Sequence, residues 1–485
     1  MSTGEMPVPG RADRAGDGTT GPVPGGPEGA EDGTAPVPGG RGAVRAGAWW
    51  AWAVALLIIG VAAVPLVDYW LSNPADQRLV DLDVYRTGGQ SVLLGLPVYD
   101  VITPAPQLLP FTYPPIAALL AVPLAVMSWP VAQWVWTAGV LVCLAVSVRF
   151  CFRDVLVHRR PRAWAPPVLF GPVLFGPVLF GVVAVACLYL MPIRDQFRFG
   201  QVDILLVMLC VVDVLARRPW WPRGMLIGLA TAVKLTPGVF LIYLLITGFG
   251  KDALPEQRRT FFMAAFTAAL LTIVPFLVIP HDAANFWFSA LLDSERLGSN
   301  TATTNQSIRG MLLRLYLPGW LTAVLWLAVA GFVAWYGFRH ARRALIRGDR
   351  MTAVALTGLM AVLISPVAWI HHLAWLVIAL AALAAPVPQD RRDRQDGHDP
   401  AGGRPAWLAL LVPVAAWLYY VVPIPWWGVS LRAAEIPVLS PVLGRVVQDA
   451  FGLGALALVW LLARRDAEAR QIMTPQGFRS ADVID

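Results

Sequence analysis

From Ala48 to Leu71 the chain reads AWWAWAVALLIIGVAAVPLVDYWL, an apolar run whose only charged side chain is Asp68. About 20 apolar residues in a row are enough to cross the hydrocarbon of a bilayer as a helix. Arg41 and Arg45 precede the run. It is longer than a signal-peptide core and has no small-residue cleavage site behind it, so it is predicted to be a first transmembrane helix with its N-terminus inside. That orientation places residues 72–110 outside.

The remainder of the chain repeats this theme. Of its 485 residues 57% are hydrophobic and 14% charged, with a mean hydropathy of +0.60, whereas a soluble domain carries about 25% charged residues. No period-two alternation suggests a barrel. The expectation is an all-α, polytopic integral membrane protein of roughly 11–13 membrane segments, including broken or re-entrant helices. The formal charge of +7 comes almost wholly from arginine, since lysine occurs only at Lys234 and Lys251. The excess sits in short loops, among them Arg153 to Arg162, Arg217 to Arg223 and Arg339 to Arg350. It reports membrane topology, not nucleic-acid binding. Cys143, Cys151, Cys187 and Cys210 show no metal-ligand spacing, so neither a disulfide framework nor a zinc site is expected. No glycine-rich nucleotide loop or acidic metal cluster stands out, and no cofactor or metal is expected.

Residues 1–44 are rich in Gly, Pro and acidic residues and repeat Pro-Val-Pro-Gly at 7–10, 22–25 and 36–39. They are read as a disordered cytoplasmic tail. Residues 45–465 form the membrane domain, with external loops at 72–110 and 281–318, and 466–485 form a cytoplasmic C-terminal tail. Two stretches break the alternation of sides. Residues 111–128 contain Pro114, Pro115 and Pro123, and residues 224–249 carry Lys234-Leu235-Thr236-Pro237-Gly238 at their middle. The first is predicted to be broken or re-entrant, the second a pair of half helices meeting at Pro237-Gly238. The tandem repeat of Val-Leu-Phe-Gly-Pro across 168–181 is expected to be kinked by Pro172 and Pro177.

Ionisable residues at a membrane edge suggest a functional site. Asp81-Leu82-Asp83-Val84-Tyr85 lies in the first external loop. Phe111-Thr112-Tyr113-Pro114-Pro115, Gly200-Gln201, Lys234-Leu235-Thr236-Pro237, Asn305-Gln306-Ser307-Ile308-Arg309-Gly310 and Ser365-Pro366 with Trp369, His371, His372 and Trp375 follow. In this order the strings resemble the bacterial polyprenyl-phosphate-mannose-dependent α-1,2-mannosyltransferases of glycosyltransferase family 87, in the GT-C membrane superfamily. The resemblance covers roughly residues 48–463. Where that family often shows Gly-Gln-x-Asn, this chain has Gly200-Gln201-Val202-Asp203.

The resemblance implies a GT-C-type fold in the cell membrane. It also implies an active site on the extracytoplasmic face, polyprenyl phosphate mannose as donor, a glycolipid or lipoglycan as acceptor, and inversion at the sugar carbon. Such a transfer needs a base for the acceptor hydroxyl and cations or donors for the departing phosphate. Asp81 is the expected general base, against the reading that it caps a short helix beginning near Asp83. Asp83 is read as a capping or solvent-facing residue. Lys234, inside an apolar segment, has two readings: a phosphate contact, or a structural role in which it snorkels to an interface or pairs with a carboxylate such as Asp203. Arg309 could clamp phosphate as a fork or face lipid headgroups.

His371 and His372 are candidate phosphate ligands, of which only one is expected to face a cavity, because adjacent helical residues point about 100° apart. Tyr85, Tyr113, Gln201 and Asn305 are further candidate donor contacts. Trp369 and Trp375 are assigned to an interfacial aromatic belt. The competing function is a transporter or lipid-linked sugar flippase, which would share broken helices but show repeated halves.

Overall fold

The computed structural model describes residues 49–74, 78–153, 156, 172–250, 253–293, 296, 298–385 and 408–473. The expected N-terminal tail, the end of the C-terminal tail and the basic loops around 154–171 and 386–407 lie outside these residues. The architecture among the described residues is all-α. Helices α1 (Trp49–Ser72), α2 (Val80–Leu94), α3 (Pro115–Val126) and α4 (Trp129–Cys151) come first, followed by α5 (Pro172–Leu188), α6 (Met191–Phe199) and α7 (Asp203–Leu215). The middle of the chain forms α8 (Met225–Val233), α9 (Val239–Gly248), α10 (Pro255–Val278), α11 (Pro280–Phe288) and α12 (Ile308–Leu313). The remainder forms α13 (Gly319–Ile346), α14 (Arg350–Leu363), α15 (Leu376–Ala384), α16 (Leu408–Val421), α17 (Ile424–Ala433), α18 (Leu439–Gln448) and α19 (Ala450–Met473).

Among the described residues four helices, α1, α4, α10 and α13, are long and apolar enough to cross a bilayer unaided. Three further spans arise if the bent pairs α5/α6, α16/α17 and α18/α19, which turn by 75°, 49° and 58°, each count as one. Shorter apolar helices run through Pro115–Val126, Thr236–Gly248, Arg350–Leu363 and Ile370–Ala384. The protein is thus polytopic and all-α. Its outer helices expose large apolar side chains, such as Leu56, Leu57 and Val61 on α1 and Phe262, Phe266 and Ile273 on α10, a pattern that suits contact with lipid. By contrast, α14 is apolar on nearly every side and buried on every side after its first turn. Such a helix belongs at the centre of a bundle.

Both predicted interruptions are present. Helix α3 has 12 residues, about 18 Å at 1.5 Å per residue and short of the roughly 30 Å hydrocarbon. It packs instead against α2. Helices α8 and α9 are separated by a 3-10 turn at Thr236–Gly238. In the tandem repeat Pro177 lies inside α5, whose first described residue is Pro172. Helix α19 continues to Met473, into the stretch assigned to the C-terminal tail.

Candidate active site

A cavity of about 470 Å³ opens where α2, the 108–114 loop, Gln201, the break between α8 and α9, and the 365–372 segment meet. That volume lies within the roughly 300–1,000 Å³ usual for small-molecule sites. Asp81, Tyr113, Gln201, Lys234, His371 and His372 all line it.

Asp81 reaches the cavity because of two glycine-dependent approaches. Helix α6 ends on Gly200, whose φ of 73° is left-handed. A Cβ there would lie 2.8 Å from the Leu82 Cβ. Only glycine lets the end of α6 rest on the first turn of α2 in this conformation, which sets Gln201 beside Asp81. On the other side of α2, a Cβ on Gly88 would come within 2.6 Å of the Phe111 ring, so the 108–114 loop also closes tightly onto the helix. Helix α2 begins at Val80 with Leu79 as its N-cap residue and no side-chain cap. Asp81 is therefore not a cap; its carboxylate belongs to the cavity wall.

Gln201 Nε2 donates to Asp81 Oδ2 at 2.6 Å. The Gln201 carbonyl oxygen accepts from the Tyr85 and Tyr113 hydroxyls at 3.3 Å each, and these hydroxyls are 2.9 Å apart. Tyr113 faces the cavity, whereas Tyr85 is buried behind it and supports Gln201. Burial pushes the Asp81 carboxyl up to about 7, against the opposing pull of the Gln201 hydrogen bond and the nearby Lys234. Asp83, two residues on, does not line the cavity; burial raises its pKa and the neighbouring Arg86 opposes the rise.

Lys234 sits just before the break between α8 and α9. Its ammonium lies 2.7 Å from Asp203 Oδ1 and 3.0 Å from His372 Nε2. Pairing with Asp203, one of its two expected outcomes, is thus realised, while the side chain still lines the cavity. Asp203 stands where the resemblance expected asparagine. Its Oδ2 is buried without a hydrogen-bond partner and faces His371 Nε2 at 3.8 Å.

The two histidines both reach the cavity, contrary to expectation. They lie in a 3-10 segment, Ile370–Trp375, entered from extended Trp369. The Trp369 amide donates to His372 Nδ1 at 3.2 Å. That bond folds the imidazole back toward the segment's start, so the two rings meet edge to face at 4.7 Å. A neutral imidazole has one lone pair. The Trp369 amide at Nδ1 and the Lys234 ammonium, 3.0 Å from Nε2, therefore compete for that lone pair, and the tautomer decides which of the two bonds is made. Gln196 anchors this arrangement from α6 by donating to the His371 carbonyl at 2.8 Å.

Asp203, His371 and His372 offer one donor atom each within 4.8 Å of one another, a spacing compatible with a divalent ion. The Lys234 ammonium already supplies the positive charge that Asp203 needs at that point.

Asn305 and Arg309 are not brought to the cavity. Asn305 is fully buried. Its Oδ1 accepts from Ser307 N, Ser307 Oγ and Ala368 N at 3.3, 3.0 and 3.1 Å, so it pins the 365–372 segment from behind. Arg309 projects over the Trp326 ring at 5.9 Å. The neighbouring motif residues are equally structural: Gln306 bonds the Gly452 amide at 2.7 Å, and buried Arg314 pairs with Asp449 at 2.5 Å. The belt assignment of the tryptophans also fails. Trp369 lines the cavity, and Trp375 is buried against Phe240, 5.2 Å away. Arg296, which also lines the cavity, had no part in the sequence reading. Arg296 shares the 281–318 segment with Arg309, so the same signal, an arginine in that segment, pointed to both.

The model of glycosyltransferase family 87 matches residues 111–366. A Mycolicibacterium smegmatis protein, polyprenol-phosphate-mannose-dependent alpha-(1-2)-phosphatidylinositol mannoside mannosyltransferase, is 35% identical over 69% of this chain and 76% of its own length. A Mycobacterium tuberculosis protein of the same name is 33% identical over 68% of this chain and 76% of its own. A second M. tuberculosis protein, named for phosphatidylinositol pentamannoside, is 30% identical over 76% of this chain and 78% of its own. No solved structure matches.

Proposed function

Because the chain belongs to glycosyltransferase family 87, we propose that it is a membrane mannosyltransferase. It takes mannose from polyprenyl phosphate mannose and adds it to a hydroxyl of a phosphatidylinositol mannoside or related glycolipid. The site is placed on the extracytoplasmic face of the cell membrane, following the arginine-rich loops assigned to the other side. As a glycosyltransferase the protein is an enzyme, which sets aside the transporter reading.

The observation that carries this reading is one cavity lined by a carboxylate, Asp81, together with the Lys234 ammonium and two histidines, His371 and His372. Asp81 takes the proton of the acceptor hydroxyl as its oxygen bonds to the anomeric carbon. The bond from that carbon to the phosphate oxygen breaks, and the electron pair leaves with the polyprenyl phosphate. Lys234 and His372 receive the developing phosphate charge, and His371 and Tyr113 line the sugar's path. Base and leaving group on opposite faces make the displacement in-line, so a β-linked donor gives an α-mannoside. Gln201 holds Asp81 in register; Tyr85 and Asn305 act one layer behind.

The test is transfer of radiolabelled mannose from polyprenyl phosphate mannose to phosphatidylinositol mannosides by detergent-purified protein, beside an Asp81→Asn variant of equal thermal stability. Transfer by the wild type and not by the variant supports both the activity and the base. No transfer to any such acceptor would refute the activity; equal transfer by both would refute the base.

A further inference from the structure

Among the described residues the cavity is lined by two permanent cations, Lys234 and Arg296, and they are compensated differently. Lys234 has Asp203 at 2.7 Å. Arg296 has no carboxylate within ion-pair distance among the described residues. Its Nη2 donates to the Tyr99 carbonyl, and its Nε–H is buried without a partner. A half-buried guanidinium that keeps an unpaired N–H is an unfavourable arrangement unless an anion completes it. The fork of a guanidinium fits the oxygens of a phosphate.

The side chain is also held ready. The Tyr99 hydroxyl donates to the Tyr113 carbonyl at 2.8 Å, and the Val98 amide donates to Asp282 Oδ1 at 2.8 Å. The backbone at 98–99 is therefore fixed between the 108–114 loop and α11, and Arg296 is fixed by it at the cavity wall.

We propose that Arg296 is a second phosphate-binding residue of the cavity, engaging a lipid-linked phosphate beside Lys234 and His372. This rests on the mannosyltransferase reading above. Both substrates of that reaction carry a lipid-linked phosphate: the polyprenyl phosphate of the donor and the phosphoinositol of the acceptor.

The experiment measures binding of polyprenyl phosphate and of neutral polyprenol to the full-length protein in detergent, for the wild type, Arg296→Gln and Arg296→Lys. The Michaelis constants for donor and for phosphatidylinositol mannoside are measured alongside. Losing a charge-assisted pair is expected to weaken polyprenyl phosphate binding by about ten- to a hundredfold in Arg296→Gln, leaving polyprenol binding unchanged. Arg296→Lys, which keeps the charge but not the fork, should fall between and serves as the reading if the Gln variant does not fold. If polyprenyl phosphate binding holds and the Michaelis constant for the acceptor rises instead, the engaged phosphate is the acceptor's. Unchanged binding and unchanged constants would overturn the proposal, as would an equal loss for phosphate and polyprenol, which marks Arg296 as a tie on Tyr99 alone. A wild type that binds no polyprenyl phosphate would instead refute the mannosyltransferase reading.

Discussion

Gln201 Nε2 donates to Asp81 Oδ2 at 2.6 Å, a bond that joins residues brought together because Gly200 lets α6 end on α2. The carboxamide is held by two tyrosine hydroxyls, so it cannot rotate freely, and it fixes which Asp81 oxygen remains for the acceptor.

Replacing Gln201 with Leu removes the donor that favours the ionised carboxyl. The rate at pH 7 should fall about tenfold or more, and the rising limb of the pH profile should move to higher pH. Initial transfer rates across pH for wild type and variant check this; a lower rate with an unmoved limb would assign Gln201 a role in substrate binding instead.

The wild type should itself titrate within the neutral range. Burial raises Asp81 to about 7, so the base form is lost as pH falls through that value. At subsaturating donor, kcat/KM should drop about tenfold per unit well below it and level off above it. Asp81→Asn should show a flat residual rate. A profile level from pH 5 to 8 would contradict the assignment of Asp81 as the titrating base.

Much of this site was legible in the sequence because its residues come in short strings that fold locally: Asp81 in the first turn of α2, Gly200-Gln201 at a helix end, Lys234 before a Pro-Gly break. What was not legible depends on contacts between distant segments. The two histidines converge because the Trp369 amide bonds back to His372, which helical spacing does not show. Nothing local separates Arg296 from Arg309. The first is drawn to the cavity by the Tyr99 carbonyl, the second away by the Trp326 ring. Asn305 reads from the sequence as a candidate donor contact, whereas its hydrogen bonds to Ser307 and Ala368 serve the frame.

Lys234→Met should separate stability from catalysis. It leaves the buried Asp203 carboxylate without its cation, a loss of about 3–5 kcal/mol in comparable buried pairs. Adding Asp203→Asn removes the stranded charge. Thermal unfolding in detergent should therefore show the single variant well below wild type and the double variant largely recovered, while mannose transfer stays low in both. Recovery of transfer in the double variant would show that Lys234 contributes only through Asp203.

Asn305 distinguishes a frame residue from a ligand-binding one. Asn305→Ala strands the Ala368 amide, which it accepts at 3.1 Å, and the Ser307 amide in a fully buried setting. Each unpaired group costs about 1–3 kcal/mol. Because Ala368 leads directly into Trp369, His371 and His372, the unfolding temperature and kcat should fall together. Arg309→Gln, which alters a side chain resting on Trp326, should leave both near wild type. A sugar contact would behave differently, raising the donor Michaelis constant with the unfolding temperature unchanged, and that result for Asn305→Ala would return the residue to the cavity.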